Sequence, residues 1–425
     1  MKRESRIVDR SDQVDSPTQR HLPMVDLLVD TRAELLELAV SSGLNVLSAM
    51  LEEDRTAICG LRYQHQADRT ASRAGTVPSE VVLGGRKVAI RRPRVRRDRA
   101  EVPLPTFQLM ASDDPLNRRV VEQLLVGVAT RQYARSLEPL PTTMATRGTS
   151  KSAVSRRFVA KTRAQLEAWQ SQPLDGVDLV GLILDGVHIG EHCLIVALGI
   201  AADGQKHALG LWEGSTENAT LCQSLLANLQ SRGLRTDRSL LVILDGSKAL
   251  RKAVRDLFGD VALVQRCQVH KMRNVLDHLP ERQRTWAKAI LQRAYRSGEV
   301  ATARRLLLDL ARRLEAEHPS AAESVREGLD ETLTILGLKL PDTLRRSLTT
   351  SNAAESLISR TRHVKRNVKR WRGGQMVVRW VAAGVLEAVK GFRRLKGHKA
   401  MPQLVAALRA RDQQLGLTEP AQNVA

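Results

Sequence analysis

The chain has 425 residues, 42% of them hydrophobic and 3% aromatic, which allows two or three domains with packed cores. Lys and Arg number 67 against 46 Asp and Glu, a charge of +21 that favours a polyanionic partner, because phosphate contacts dominate nucleic-acid affinity through counterion release. The longest uncharged apolar run, Cys193 to Ala202, is far short of the roughly 20 residues of a membrane span, the N-terminus lacks the apolar block of a secretory signal, and Cys59, Cys193, Cys222 and Cys267 show no disulfide-framework spacing, so no membrane helix and a reducing cytoplasm are expected.

Residues 1–22 read as a polar, disordered N-terminus. Residues 23–75 carry apolar positions at helical spacing, with Gly43 as the expected break between two helices. Residues 76–110 read as a basic β-hairpin, because two β-branched runs flank Gly84 and Gly85, a tight-turn signal. From Arg86 to Arg99 there are eight Arg/Lys and one Asp, which makes Arg91, Arg92, Arg94, Arg96 and Arg97 candidate DNA contacts. Residues 111–172 return to helix in two amphipathic stretches. The second opens with Thr149 and Ser150 as capping residues and presents Lys151, Ser152, Arg156 and Arg157. That outline suits a helix-turn-helix DNA-binding region and equally an ordinary solvated pair of basic helices.

Residues 173–279 hold strands at Leu179–Leu184, Cys193–Ile200 and His207–Trp212, then a helix closed by Gly233. Strand Leu240–Leu244, a helix over Lys248–Phe258 and strand Val261–Val264 follow. The order β-β-β-α-β-α-β is that of a ribonuclease H-like mixed-sheet core, so an α/β fold class is expected. Residues 280–342 read as helix throughout, with Leu306, Leu307, Leu310 and Leu314 on one stripe, and are taken as an all-helical insertion. Residues 343–400 complete the core with basic helices: Arg345 to Lys399 holds fifteen Arg/Lys against Glu355 and Glu387, a local +13. Residues 401–425 form a C-terminal tail.

In such a core the first and fourth strands lie side by side, so Asp185 and Asp245, each at the end of an aliphatic strand and each followed by Gly, meet. Paired carboxylates repel unless a hard cation sits between them, and Mg²⁺, with Mn²⁺ as a substitute, is the usual occupant at phosphate-chemistry sites. Glu355, in the first turn of the helix that follows the insertion, is the third candidate ligand, although Asn352-x-x-Glu355 also matches a capping box in which Glu only secures the helix start. Cys267 and His270 have the spacing of half a zinc site, but no second pair matches, so His270 is expected to hydrogen-bond near the carboxylates or DNA while Cys267 packs as a small apolar residue. The stretch His188-x-x-Glu191-His192 formally matches an inverted zinc-protease motif, yet Gly190 and the flanking strands argue for a hairpin, with His188 near Asp185. After Glu355 come Arg360, Arg362, Lys365, Arg366, Lys369 and Arg370, cations that suit a phosphate backbone beside the carboxylates or else form a solvated face.

Taken together, LILDG, LLVILDGSKAL, VQRCQVHKMRNV and TTSNAAESLISRTRHVKRNVKRW resemble the Mutator-type family of bacterial insertion-sequence transposases. The likeness runs from the N-terminal helices to about Phe392. It implies a ribonuclease H-like core interrupted by a helical insertion, a DDE triad on Asp185, Asp245 and Glu355 binding divalent metal, recognition of terminal inverted repeats and of target DNA, and a homodimer that holds two element ends. It implies no small-molecule cofactor and work at the bacterial nucleoid in the cytoplasm. Two other readings stay open: a repurposed transposase that binds DNA without cutting it, and a small-substrate phosphohydrolase. The latter leaves the basic C-terminal segment idle and expects an Asp-x-Asp pair, whereas Asp185 is followed by Gly186 and Val187.

Overall fold

The computed structural model describes residues 24–64, 70–83, 86–98, 100–112, 115–137, 146–147, 150–214, 219–365, 368 and 370–417. The expected disordered N-terminus, and Arg366 and Lys369 among the basic candidates, lie outside the described residues. The chain divides into two compact units, one made of residues 1–116 and 134–149, the other of residues 117–133 and 150–425.

In the first unit, helix α1 (Met24–Cys59) packs against strands β1 (Ser72–Leu83) and β2 (Arg86–Arg97); β3 (Ala100–Val102) pairs with β2, followed by α2 (Pro105–Ser112) and the two-residue strand β4 (Thr146–Arg147). β1 and β2 are antiparallel with Leu83 opposite Arg86, the register of the expected hairpin. Leu47, Leu51, Val81, Val88, Val95 and Leu104 form the core. Gly43 does not break the helix. A lone glycine costs a helix about 1 kcal/mol, and α1 continues through it with buried apolar residues on both sides, Val40 and Leu47.

The second unit holds α3 (Pro115–Leu125), most of which it contains, and α4 (Lys151–Ser171). The helix-turn-helix expectation is corrected here. The first helix stops at Leu125, ahead of Gly127 with its φ of 102°, and residues 126–150 separate it from α4, far too long a connection for that motif. Ser150 caps α4 as expected, its hydroxyl accepting from the Ala153 N–H at 3.2 Å.

Strands β5 (Leu179–Ile189), β6 (His192–Ala201), β7 (Lys206–Gly214), β8 (Leu240–Leu244) and β9 (Ala262–Arg266) form one five-stranded sheet in the order β7-β6-β5-β8-β9. β5, β6 and β7 pair antiparallel, whereas β8 and β9 run parallel to β5, as crossovers through α5 (Ala219–Ser231) and α6 (Lys248–Phe258) require. Both faces are covered, which explains the near-continuous aliphatic runs. Leu182, Leu184, Val242 and Leu244 meet α5 and α6 on one side. Ile183, Leu198, Leu241 and Ile243 meet the C-terminal helices on the other. Gly190 takes a φ of 60° in the turn between β5 and β6, so the His188–His192 stretch is a hairpin and not a zinc-protease helix.

Between β9 and the last part of the sheet's cover lie α7 (Gln268–Asp277), α8 (Glu281–Tyr295), α9 (Val300–Leu314), α10 (Pro319–Arg326), α11 (Leu329–Gly337) and α12 (Asp342–Leu348). They carry a core of their own, in which Leu307, Leu310 and Leu314 of the expected stripe are buried and Leu306 packs at its margin. α13 (Asn352–Lys365), α14 (Gly374–Val389) and α15 (Met401–Gln414) then return to the sheet. The segment expected as a tail therefore contains a helix whose Met401, Leu404 and Leu408 are buried with the sheet residues. Among the described residues no helix is long and apolar enough to cross a membrane.

β9 is an edge strand, and α11 closes it. Gln265 is fully buried; its Nε2 donates to the Thr332 carbonyl at 2.9 Å, its Oε1 accepts from the Ile335 N–H at 2.8 Å, and the Thr334 hydroxyl donates to the Val264 carbonyl at 2.7 Å. Gln265→Ala takes the side-chain acceptor from the buried Ile335 N–H, while the Thr332 carbonyl keeps the Gln268 Nε2 at 3.1 Å, and is expected to cost about 1–3 kcal/mol. Thermal unfolding of the full chain checks this; an unchanged melting temperature would mean that α11 docks without these bonds.

Candidate active site

The end of the parallel β5–β8 ladder sets the site; the expected strand end at Leu184 is corrected, because β5 runs on to Ile189 in its pairing with β6 and only the pairing with β8 stops there. Leu184 pairs with Leu244, so the next residues along β5 and out of β8 are Asp185 and Asp245. Asp185 is buried, 2% exposed, and still sits in the β5–β6 ladder opposite Val196. Asp245 ends its strand in a sharp turn: Gly246 has a φ of 112°, the Asp245 Oδ1 accepts from the Ser247 N–H at 2.9 Å, and the Ser247 hydroxyl caps α6 by accepting from the Leu250 N–H at 3.3 Å. A side chain at Gly246 would meet the Arg266 guanidinium at 3.0 Å. Arg266, 5% exposed, donates to the Gly246 carbonyl at 2.6 Å and to the Glu327 carbonyl at 3.1 Å, tying the turn after Asp245 to the end of α10.

Glu355 arrives on the first turn of α13. Asn352 is already the first helical residue and is exposed, and the Glu355 Oε1 has no hydrogen-bond partner among the described residues, so no capping box forms. Instead Oε1 lies 3.1 Å from the His270 Nε2, close enough for an ion pair although not aligned for a hydrogen bond. The fully buried Ser351 joins the parts together. Its N–H donates to the Cys267 Sγ at 3.3 Å, its hydroxyl lies 3.5 Å from that sulfur and 3.3 Å from the His270 Nδ1, and the Cys267 N–H donates to the Leu244 carbonyl at 2.7 Å. The end of β8, the start of α7 and the start of α13 are thus bonded together, although 84 residues separate Cys267 from Ser351.

The electrostatics follow from this crowding. Burial and then the Asp245 carboxylate push the Asp185 carboxyl up to about 7, with Glu355 adding to the rise while His270 and the Ser351 hydroxyl oppose it. His270 is pushed up to about 9 by its hydrogen bond to Cys267 and by the charges of Cys267, Asp185 and Glu355, against the opposing effect of its burial. Burial raises the Cys267 thiol, but hydrogen bonds with His270 and Ser351 outweigh it and lower the thiol overall.

An open cavity of about 700 Å³ is lined by Asp185, His188, His270, Arg273, Asn352 and Glu355 among others. The Asp185 Oδ1 is buried with no hydrogen-bond partner, as is the Glu355 Oε1. Orphaned carboxylate oxygens held against burial and mutual repulsion suit a cation. Among the described residues, no three His, Cys, Asp or Glu side chains stand close enough together to hold one ion as they are.

The remaining sequence candidates are distributed unevenly. Arg92 and Arg94 on β2 are engaged by Glu101 at 2.7 and 3.0 Å, and Arg92 also stacks over Phe107, whereas Arg91, Arg96 and Arg97 are exposed. On α4, Lys151, Ser152 and Arg156 are exposed and Arg157 is half-buried. Arg360 and Arg370 are exposed, and Arg362 and Lys365 belong to α13. Ser351, Arg266 and Arg273 were not singled out from sequence. Ser351 stands immediately before the α13 helix start, the one signal that could have found it.

The family described as "Transposase, Mutator family" matches residues 28–394. The transposase for insertion sequence element IS6120 of Mycolicibacterium smegmatis is 28% identical over 292 residues, covering 67% of this chain and 87% of that protein. The transposase for IST2 of Acidithiobacillus ferrooxidans is 32% identical over 171 residues, 40% of this chain and 56% of that protein. The transposase for IS256 in transposon Tn4001 of Staphylococcus aureus is 27% identical over 251 residues, 56% of this chain and 61% of that protein. The chain thus spans somewhat over half the length of the latter two.

The Asp185 shift carries a sign that can be measured. Its folded value, about 7, lies above the unfolded 3.8, so the protonated form favours folding and stability falls as pH rises through that window. Asp185→Asn is expected to match the wild type near pH 4 and to be more stable at pH 8 in chelator, on the order of a few kcal/mol. Melting curves of both proteins across this range test it, and a difference independent of pH would contradict the shift.

Proposed function

The chain belongs to the Mutator family of transposases, and on that premise we propose that it moves an insertion sequence by cutting DNA at terminal inverted repeats and joining the freed 3′ ends to target DNA. The observation that carries this reading is the adjacency of Asp185 and Asp245 at the end of the β5–β8 ladder, with Asp185 and the helix-borne Glu355 lining one cavity. The mixed sheet, read with its helical insertion, is taken as a ribonuclease H-like catalytic core.

In this reading Asp185, Asp245 and Glu355 are the metal ligands. A divalent cation of the Mg²⁺ class, with Mn²⁺ as a substitute, lowers the pKa of the attacking oxygen and offsets charge at phosphorus when bound there. Water attacks phosphorus and the P–O3′ bond breaks, leaving a 3′-hydroxyl; that hydroxyl then attacks a second phosphodiester and displaces its 3′ oxygen. Asp185 must release its proton before it can act as a ligand, so cation affinity falls as pH drops below about 7. His270 and Ser351 orient Glu355, and Arg273 and His188 offer the scissile phosphate a cation and a hydrogen-bonding ring at the cavity wall. Exposed Arg91, Arg96 and Arg97 on the hairpin, Lys151, Ser152 and Arg156 on α4, and Arg360 and Arg370 are assigned to the DNA backbone.

Joining two element ends calls for a homodimer working at the nucleoid. An exposed apolar stripe on α1, with Leu35, Leu38, Val46 and Met50, supports such an assembly.

Asp185→Ala, Asp245→Ala and Glu355→Gln should each reduce nicking of an inverted-repeat duplex to background while binding of that duplex persists. Nicking that survives in the two Asp variants would refute the assignment, and a wild-type chain that binds but never nicks across Mg²⁺ and Mn²⁺ conditions would favour a repurposed DNA-binding protein. Ser351→Ala should lower nicking about 10–100-fold and raise the divalent-ion concentration needed, with duplex binding unchanged. A loss of activity without that shift in ion dependence would remove Ser351 from the positioning role.

A further inference from the structure

The face of α13 that turns from Glu355 opens on a second cavity of about 760 Å³. Its wall carries Lys206 of β7, Arg346 of α12, Arg360 of α13, and Arg393, Arg394 and Lys396 from the segment after α14, with no carboxylate among the lining residues. Asn352 and Ser356 line both this basin and the cavity of Asp185 and Glu355, so the two are contiguous. Of the six cations only Arg394 has a carboxylate partner among the described residues, Asp203 at 3.3 Å. Lys206 is half-buried with its ammonium 4.9 Å from the centre of the Phe392 ring; burial and then the neighbouring Arg360 hold it below the usual lysine value.

A concave wall of one sign concentrates its field, and gathering like charges there is unfavourable until a polyanion neutralises them. A solvated basic face has its cations spread on convex surface and interleaved with acids. Here they converge from four separate elements around one hollow, at the edge of a site built for phosphate chemistry.

We propose that this basin, walled by Lys206, Arg346, Arg360, Arg393, Arg394 and Lys396, binds the phosphodiester backbone of a DNA duplex and leads it across Asn352 and Ser356 to the carboxylate cavity. The chemistry is the same whether that backbone belongs to the element's own end or to the DNA being joined. The inference rests on the transposition reading and extends it with residues that neither strand order nor motif singled out: Lys206, Arg346, Arg393, Arg394 and Lys396.

The test is fluorescence anisotropy of the full-length chain with two labelled duplexes, one carrying the inverted repeat and one of unrelated sequence, titrated across NaCl in chelator so that no cutting occurs. The triple variant Lys206→Ala, Arg393→Ala, Lys396→Ala should reduce the slope of log K against log salt by about 2–3 for the duplex that occupies the basin, near 1 for each phosphate no longer neutralised. A change with the repeat duplex alone assigns the basin to the element end, a change with both to DNA of any sequence, and either supports the proposal. A triple variant Lys252→Ala, Lys288→Ala, Arg313→Ala on α6, α8 and α9 removes equal charge outside the basin and should leave the slope alone. Should the first variant melt early, the exposed double variant Arg393→Glu, Lys396→Glu serves in its place. An unchanged slope in the basin variants, or an equal fall in the control, overturns the proposal. Failure of the wild type to nick DNA would refute the transposition reading separately, because the anisotropy is recorded without divalent ion.

Discussion

The structure depends on keeping a nearly buried carboxylate, Asp185, beside a second one at the mouth of a parallel strand pair. Neither burial nor the neighbouring charge favours an ionised acid, and the two effects together raise Asp185 to about 7. Such an arrangement persists only where the surrounding fold over-determines it. Here the over-determination is the central place of β5, paired with β6 on one side and β8 on the other, with apolar layers covering both faces of the sheet.

The third carboxylate is brought in by a different device. Glu355 follows Asp245 by 110 residues, and the chain between them makes a helical body with its own core. Two links tie this stretch of chain back to the ends of β8 and β9. Ser351 bridges to Cys267 and His270, and Arg266 bonds the turn after Asp245 to the helical body at Glu327. Gly328, with a φ of 59°, lies so close to Arg266 that a Cβ there would fall 2.4 Å from the guanidinium. The helical body is therefore bonded to the same turn that aims Asp245, and its packing bears directly on the geometry of the acids.

Much of this was legible in the sequence because the signals are periodic and local. Unbroken aliphatic runs ending in Asp-Gly marked β5 and β8, and the strand and helix order fixed which ends adjoin. Gly190 marked the hairpin that set aside the inverted zinc-protease reading. What pattern reading missed depends on tertiary context. Gly43 carries the signal of a helix break, yet packing on both sides of it holds α1 together. The basic pair around α4 has the composition of a helix-turn-helix but not its short turn. Arg92 and Arg94 look identical to their neighbours in sequence, and only strand register reveals that Glu101 engages them. The basin cations are the extreme case: Lys206 and Lys396 stand 190 positions apart and become one surface only through folding.

The most direct measurement is a crystal structure of the chain with Mn²⁺, located by its anomalous signal. The account predicts an ion in the cavity coordinated by the Asp185, Asp245 and Glu355 oxygens at about 2.1 Å, the distance typical of a small octahedral cation. Manganese bound elsewhere, with those three carboxylates still apart, would contradict it.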